Sequence, residues 1–361
     1  MYVFLALFLM TIIYFVYCKA SNNKKKKNTG KGILILKESD IAPIVEMREI
    51  IEADRQALSI YSKGEANIPL RSNLNVPEYN GQCLFMNGYV ASAKALGVKI
   101  VSVYPQNIDK KLISVPATMV LVDVETGFVN AIIDGTYLTK MRTGAVSGLA
   151  TELLARKDSK IFALIGTGGQ AVTQLEAVLT VRKIELVKVY DLFLERADAF
   201  AKQMQEKFGS KFNVKIFATK TADEAVENAD IITTVTVSKK PVFKAEKVKK
   251  NAHINGVGSY TPEMEEIPPE ILMKAAKIYV DTKDAIKESG DIVQPLKNGQ
   301  IKESKITGEL GQLINGEIKG RENDEEMTFF KTTGNAVLDV VSAQKIYEIA
   351  KRKNIGNLID F

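Results

Sequence analysis

Apolar and polar residues repeat along this chain with two periods, and the change of period divides it. Between residues 160 and 280, short apolar runs recur at 161–165, 187–190, 214–218, 231–236, 253–257 and 278–280. Runs of this length, rich in Val and Ile, read as buried strands. Helical patterns fill most of the gaps, among them 195–208 and 222–228. Alternation at that spacing predicts a parallel, doubly wound sheet. Residues 33–133 have another texture. One helical pattern, 38–63, stops at Gly64, and short strands follow at 84–86, 99–104, 117–123 and 129–134, bounded by Gly, Pro and Asn. Val122 to Phe128 reads as strand, turn, strand with Gly127 at the turn, so this part is expected to be antiparallel. A helix over 137–154 joins the two regions. Beyond 280 come short helices over 282–290 and 309–315, then a long amphipathic helix over 334–351, striped by Val337, Val340, Val341, Ile346 and Ile349.

The stretch 160–191 carries the clearest chemistry. The run 161–165 ends in Gly166-Thr167-Gly168-Gly169-Gln170-Ala171, and a helical pattern follows with Val172, Leu175, Ala177 and Val178 on one face. Such glycines let the backbone turn tightly and approach a pyrophosphate, whose charge sits at the helix N-terminus among unpaired N–H groups. The next apolar run stops at Asp191, about 20 residues past the turn, where a carboxylate accepts bonds from an adenosine ribose. The alternative is a glycine-rich turn in some other α/β unit. Asp191 favours NAD over NADP, because it repels a 2′-phosphate and no basic residue follows before Arg196.

Length and composition suit a two-domain globular enzyme: 361 residues, 46% hydrophobic and 25% charged. The net charge of +6 is local, since Lys19, Lys24, Lys25, Lys26, Lys27 and Lys31 supply all of it and the remainder is balanced. A nucleic-acid surface is therefore not expected. Residues 1–18 are apolar except for Thr11; as a helix they span roughly 27 Å, enough for a bilayer core. With the positive charge following them, they predict an anchor that leaves the body of the protein in the cytoplasm. A mis-chosen start upstream of a soluble enzyme is the alternative. Two cysteines, Cys18 and Cys83, make no disulfide framework and fit a reducing compartment. A single histidine, His253, excludes a multi-histidine metal site and weakens hydrolase readings; in its apolar setting it is expected to be a bonded structural residue. No metal is expected.

A dinucleotide site implies hydride transfer to or from a small substrate. Candidates to hold that substrate are Arg71, Lys99 and Arg142, since guanidinium groups fork onto carboxylates and an ammonium can also exchange a proton. Each alone reads as a surface cation. Their neighbourhoods, however, match a known pattern. Residues 97–107 (GVKIVSVYPQN), 138–145 (LTKMRTGA), 165–171 (IGTGGQA), 255–260 (NGVGSY), 287–291 (KESGD), Gly320-Arg321 with Thr328-Phe329-Phe330, and Gly334-Asn335-Ala336 stand in register over most of the chain. The sequence resembles the ornithine cyclodeaminase and mu-crystallin family of nicotinamide-dependent, imine-handling proteins.

The resemblance implies an α/β protein: a Rossmann doubly wound parallel sheet plus an α+β substrate and dimerisation domain made from both chain ends. The expected division is an apolar segment 1–18, a basic linker 19–32, a substrate and dimerisation domain 33–138, an NAD-binding domain 139–330 and a returning C-terminal helix 331–361, assembled as a homodimer. It also implies that Arg71, Lys99 and Arg142 grip a substrate carboxylate. Thr143 and Gly166, Gly168, Gly169, Gln170 and Ala171 would face the cofactor phosphates, with Asp191 on the ribose and Thr236, Ser238 and Gly258 toward the nicotinamide. One position departs from the family pattern. Cyclodeaminases carry an aspartate where this chain has Tyr260, and a phenol with pKa about 10 is a donor and a poor base at neutral pH. Glu78 lies near where their second acid is expected. The expectation is reduction of a small cyclic imino acid, or interconversion of an α-amino and an α-imino acid, with Lys99 and Tyr260 closest to the chemistry. Ornithine cyclodeamination and non-catalytic dinucleotide-dependent binding are the alternatives.

Overall fold

The computed structural model describes residues 32–360, so the apolar segment 1–18 and nearly all of the basic stretch 19–32 lie outside it. The alternating region forms one eight-stranded sheet. Its spatial order is Lys215–Ala218, Leu186–Tyr190, Ile161–Ile165, Ile231–Thr234, His253–Gly256, Thr328–Lys331, Lys277–Val280, Gly308–Glu309, and every pairing is parallel. The order reverses between Ile161–Ile165 and Ile231–Thr234, which opens the crevice where doubly wound sheets take a dinucleotide. The periodicity located the strands it predicted to within a few residues. It missed Thr328–Lys331, which inserts between two strands that precede it in the chain. All four of its residues are buried, lysine included, and so short a run has no period to read.

The other sheet also has eight strands, in the order Asn357–Ile359, Ile33–Leu36, Val129–Asp134, Ala117–Val122, Ala95–Val103, Gly81–Val90, Ala66–Asn67, with Ser72–Val76 on the outside of Gly81–Val90. It is antiparallel as expected, except that Ile33–Leu36 joins parallel to Val129–Asp134. Gly81–Val90 and Ala95–Val103 are longer than their apolar kernels because pairing continues through polar residues facing the other way. At the expected turn, the Asp123 carboxylate accepts the Thr126 amide at 2.9 Å and Gly127 takes φ 74. The single helix expected over 38–63 is two helices, Glu38–Ile41 and Met47–Ser62. Pro43 falls between them and has no N–H to continue the ladder.

Three helices cover one face of this second sheet: Met47–Ser62, Gly135–Leu154 and the C-terminal Ala336–Lys353. Ile50, Leu58, Leu138, Leu149, Val337 and Ile346 meet there in one core. The C-terminal helix thus returns to the strands at the start of the chain. Gly135–Leu154 also packs on the helix Ala171–Val181, where a Cβ on Gly144 would stand 2.6 Å from the Thr173 carbonyl oxygen. That contact fixes the two halves side by side. Among the described residues, no helix is long and apolar enough to cross a membrane.

Candidate active site

Gly166 leaves its strand at φ +100, which glycine alone adopts freely, and a Cβ there would press on the Val235 carbonyl oxygen at 3.0 Å. Gly168 and Gly169 face open space, with nothing within 4 Å of where a Cβ would stand. Their backbone is bare on the side a phosphate would take. Gln170 and Ala171 open the helix Ala171–Val181, and Thr143 lies against it, its carbonyl accepting Gln174 Nε2 at 2.9 Å. Asp191 accepts the Thr167 amide and hydroxyl at 3.0 and 2.7 Å and the Phe193 amide at 3.1 Å. Burial acts to raise its pKa, but these bonds and the Arg196 charge hold it below the usual carboxylate range. An open glycine cradle at a helix N-terminus, with an ionised carboxylate at the ribose position, fits a dinucleotide.

Across the crevice, Glu266 ties two loops together. It accepts the Thr236 amide at 2.5 Å and the Ser259 amide at 2.9 Å. Gly258 sits between them, because a Cβ there would strike the Thr236 backbone and Glu266 itself. Burial and the Asp291 carboxylate push Glu266 up to about 7, against the pull of Lys331. Lys331 is itself fully buried and donates to Asp291 at 2.8 Å. The Ser238 hydroxyl closes its own turn on the Lys240 carbonyl at 2.6 Å. Tyr260 is 38% exposed, and burial of the rest of the ring raises its phenol further, keeping it a donor.

The three cations anticipated from the sequence come together. Lys99 Nζ and Arg142 Nε donate to the same oxygen of Asp339, at 2.7 and 2.9 Å, in a setting that leaves Lys99 1% and Arg142 5% exposed. Burial lowers the Lys99 ammonium to about 8; Asp339 opposes this, while Arg142 and Arg71 add to it. Asp339 shifts downward despite its burial, because Lys99 and Arg142 both face it and both donate to it. The trio carries one net positive charge. Arg71 stands beside it, ion-paired with Glu288. Gly334 makes room for the Arg142 guanidinium at φ +77, and its amide donates to Asp281 at 2.9 Å. A cavity of about 130 Å³ lies here, walled by Tyr61, Arg71, Met86, Asp284, Asn335 and Ala336 among others. Asp284, Asn335 and Ala336 follow the carboxyl ends of Lys277–Val280 and Thr328–Lys331, whereas Met86 pairs with Lys99 across the other sheet. The cavity therefore opens where the two sheets face each other.

Other residues take structural places. His253 is buried, with Nδ1 2.9 Å from Thr328 Oγ1 and Nε2 3.0 Å from Asn255 Oδ1. Burial and the Arg321 charge push it down to about 3, as a bonded core histidine requires. Glu78 is exposed on the turn Pro77–Tyr79 and lines no part of the cavity. Among the described residues, no cluster of His, Cys, Asp or Glu could hold a metal ion. Sequence reasoning missed Asp339, Asp281, Asp284 and Glu266. Asp339 stands between apolar positions of an amphipathic helix and reads there as a solvent-facing charge. Glu288, by contrast, fell inside a stretch already singled out, 287–291.

A profile described as the ornithine cyclodeaminase/mu-crystallin family matches residues 33–354. A Delta(1)-pyrroline-2-carboxylate reductase of Bacillus cereus is 42% identical over 332 residues, spanning 91% of this chain and 100% of its own length. Among solved structures, Thermococcus litoralis Delta(1)-pyrroline-2-carboxylate reductase in complex with NADH and L-proline superposes with TM-score 0.85 at 41% identity, covering 90% of this chain and 99% of that one. An archaeal alanine dehydrogenase dimer with bound NAD superposes with TM-score 0.83 at 37% identity, covering 91% and 99%.

Proposed function

Since the chain belongs to the ornithine cyclodeaminase/mu-crystallin family, we propose that it is an NAD-dependent oxidoreductase that reduces a small cyclic ketimine, with Delta(1)-pyrroline-2-carboxylate the first candidate and L-proline its product. The observation that carries this reading is the gathering of Arg71, Lys99 and Arg142 beside one small cavity at the carboxyl end of the nucleotide-binding sheet. A cyclic imino acid brings one carboxylate and one C=N bond. Arg142 and Lys99, with one positive charge to spare after Asp339, set an attractive field for that carboxylate, and Arg71 exchanges Glu288 for it. When bound, the nicotinamide supplies the hydride to carbon. Holding the substrate in this geometry makes the encounter effectively unimolecular. The Tyr260 phenol, kept protonated by burial, suits a reduction that needs a donor and not a cyclodeaminase that needs a base.

The proposal extends to assembly. Leu74, Tyr79, Ile108, Leu112 and Ile113 are all more than half exposed, on the strand and loops around one end of Gly81–Val90. An apolar patch of this kind is a protein interface, and a second copy of the chain is the proposed occupant.

The direct test is NADH oxidation by the purified full chain in the presence of pyrroline-2-carboxylate or piperideine-2-carboxylate. Stoichiometric loss of the 340 nm absorbance (roughly the reduced-nicotinamide band) with formation of the cyclic amino acid is expected. A cofactor-loaded protein inert to both imines, or one that converts ornithine to proline and ammonia with no net NADH change, would overturn the reading.

A further inference from the structure

We propose that Asp284 is the residue that holds the proton at the substrate nitrogen, a role that rests on the reading of this protein as a cyclic-imine reductase. The cavity beside the cations is small, about 130 Å³, and Arg71 and Asp284 share its wall. In so small a space, a molecule that meets Arg71 with its carboxylate has Asp284 within reach of the remainder. Among the carboxylates near this space, Glu288 and Asp284 differ in how far they are engaged. Glu288 is ion-paired with Arg71 and also accepts the Thr333 hydroxyl at 2.8 Å. Asp284 has no cationic partner within ion-pair distance among the described residues, and the bond its carboxylate accepts, from Asn335 Nδ2, is long at 3.5 Å. The uncommitted acid therefore shares the cavity wall with Arg71 of the carboxylate grip.

The groups around Asp284 agree with this role. Tyr61 reaches the same cavity from the helix Met47–Ser62. Burial, then the charges of Asp284, Glu309 and Asp281, push its phenol up to about 12, so it faces Asp284 as a donor only. Arg71 approaches from the second sheet and Asn335 from the start of the C-terminal helix. Among the residues that line the cavity, Asp284 alone carries a carboxyl that can both give and take up a proton, and Tyr260 is not in its wall. Asp284 is half-buried and so remains in exchange with water.

In the reduction, the imine nitrogen gains one proton and the imine carbon gains one hydride from the reduced nicotinamide. The C=N π pair becomes the N–H bond, and the hydride pair becomes the new C–H bond. The Asp284 carboxyl gives up the proton and recovers one from solvent before the next turnover. In the product complex its carboxylate faces the new N–H of the ring nitrogen.

The experiment compares the full-length chain with Asp284→Asn and Asp284→Glu. NADH binding, read by fluorescence, is expected to stay within about twofold in both variants, since neither touches the glycine turn. Binding of L-proline is then set against that of cyclopentanecarboxylate, which has the same ring and carboxylate but no nitrogen. The wild-type preference for L-proline should fall about tenfold or more in Asp284→Asn and return in part in Asp284→Glu. Imine reduction should slow by about 100-fold in Asp284→Asn, with a change in the basic limb of the pH profile, where a proton donor is lost. If Asp284→Asn keeps both the preference and the rate while the wild type reduces the imine, this role is overturned and the reductase reading stands. If the wild type binds NADH but turns over no imine, both are overturned.

Discussion

At the residue scale the site depends on one shared carboxylate. Asp339 neutralises half of a buried charge pair, and nothing else within ion-pair distance of Lys99 or Arg142 is acidic among the described residues. Asp339→Asn strands those two cations in the interior, and leaving a buried charge uncompensated costs about 3–5 kcal/mol. A urea titration should show that loss, together with weaker substrate binding and near-normal NADH binding; an unchanged midpoint would count against the cluster as drawn. His253 has a different signature. Its folded pKa of about 3 lies below its ordinary 6.5, so on acidification the unfolded chain takes the proton first. Stability is then fully present above about pH 6.5 and falls toward pH 3, with a slope of up to about 1.4 kcal/mol per pH unit from this group. His253→Gln should flatten that part of the curve in denaturant titrations between pH 6.5 and 4. Composition alone marked His253 as structural, because a lone imidazole in an apolar run has little else to do. Asp339 was illegible, because a charged residue in an amphipathic helix ordinarily faces water.

At the element scale the strand Thr328–Lys331, the turn through Gly334 and the helix Ala336–Lys353 act as one unit. The strand ends beside Asp281, which accepts the Thr332 hydroxyl and the Thr333 and Gly334 amides. Asn335 then caps the helix by accepting the Val337 amide, and Asp339 stands in its first turn. The turn thereby sets where the helix begins and how Asp339 meets the cations. Gly334→Ala would force a side chain into φ +77 and against the Arg142 guanidinium. We expect a loss of about 1–3 kcal/mol in stability and at least about a tenfold rise in KM for the imine, read by unfolding and by steady-state kinetics. A variant with wild-type values in both would show the turn to be slack. The helix and most strands were legible from period and breakers, whereas Thr328–Lys331 was recognisable only through the family motif it carries. Its place in the middle of the sheet follows from burial on both faces, which a run of four residues cannot announce.

At the scale of the molecule, two eight-stranded sheets face each other across the crevice. One carries the glycine cradle, and the other supplies Arg71, Met86 and Lys99. The helix Gly135–Leu154 belongs to both, holding Arg142 against Gly334 of the cavity wall and accepting Gln174 of the cradle's helix at the Thr143 carbonyl. Hydride transfer needs the two halves held in fixed relation, and the close contact at Gly144 provides that without a long linker. The exposed apolar end of the second sheet should bury itself in a dimer. Introducing Leu74→Glu together with Ile113→Glu should shift the protein to a monomer in sedimentation velocity. An unaltered dimer would place the interface elsewhere.

The sequence by itself determined the nucleotide half of this protein: strand, glycine turn, helix and terminal acid lie within about thirty residues, and each follows from local sterics and short-range periodicity. It also placed the three cations, through motifs that each span a few neighbours. Only the tertiary structure decided what those cations meet. Lys99 and Asp339 are 240 positions apart and Arg142 and Asp339 are 197 apart, and no local pattern reports a pairing made by folding two chain ends onto one sheet. The same holds for Asp284, whose carboxylate gains its meaning from the small space that Arg71, Tyr61 and Asn335 close around it. Periodicity says which side of an element is buried, and only packing says against what.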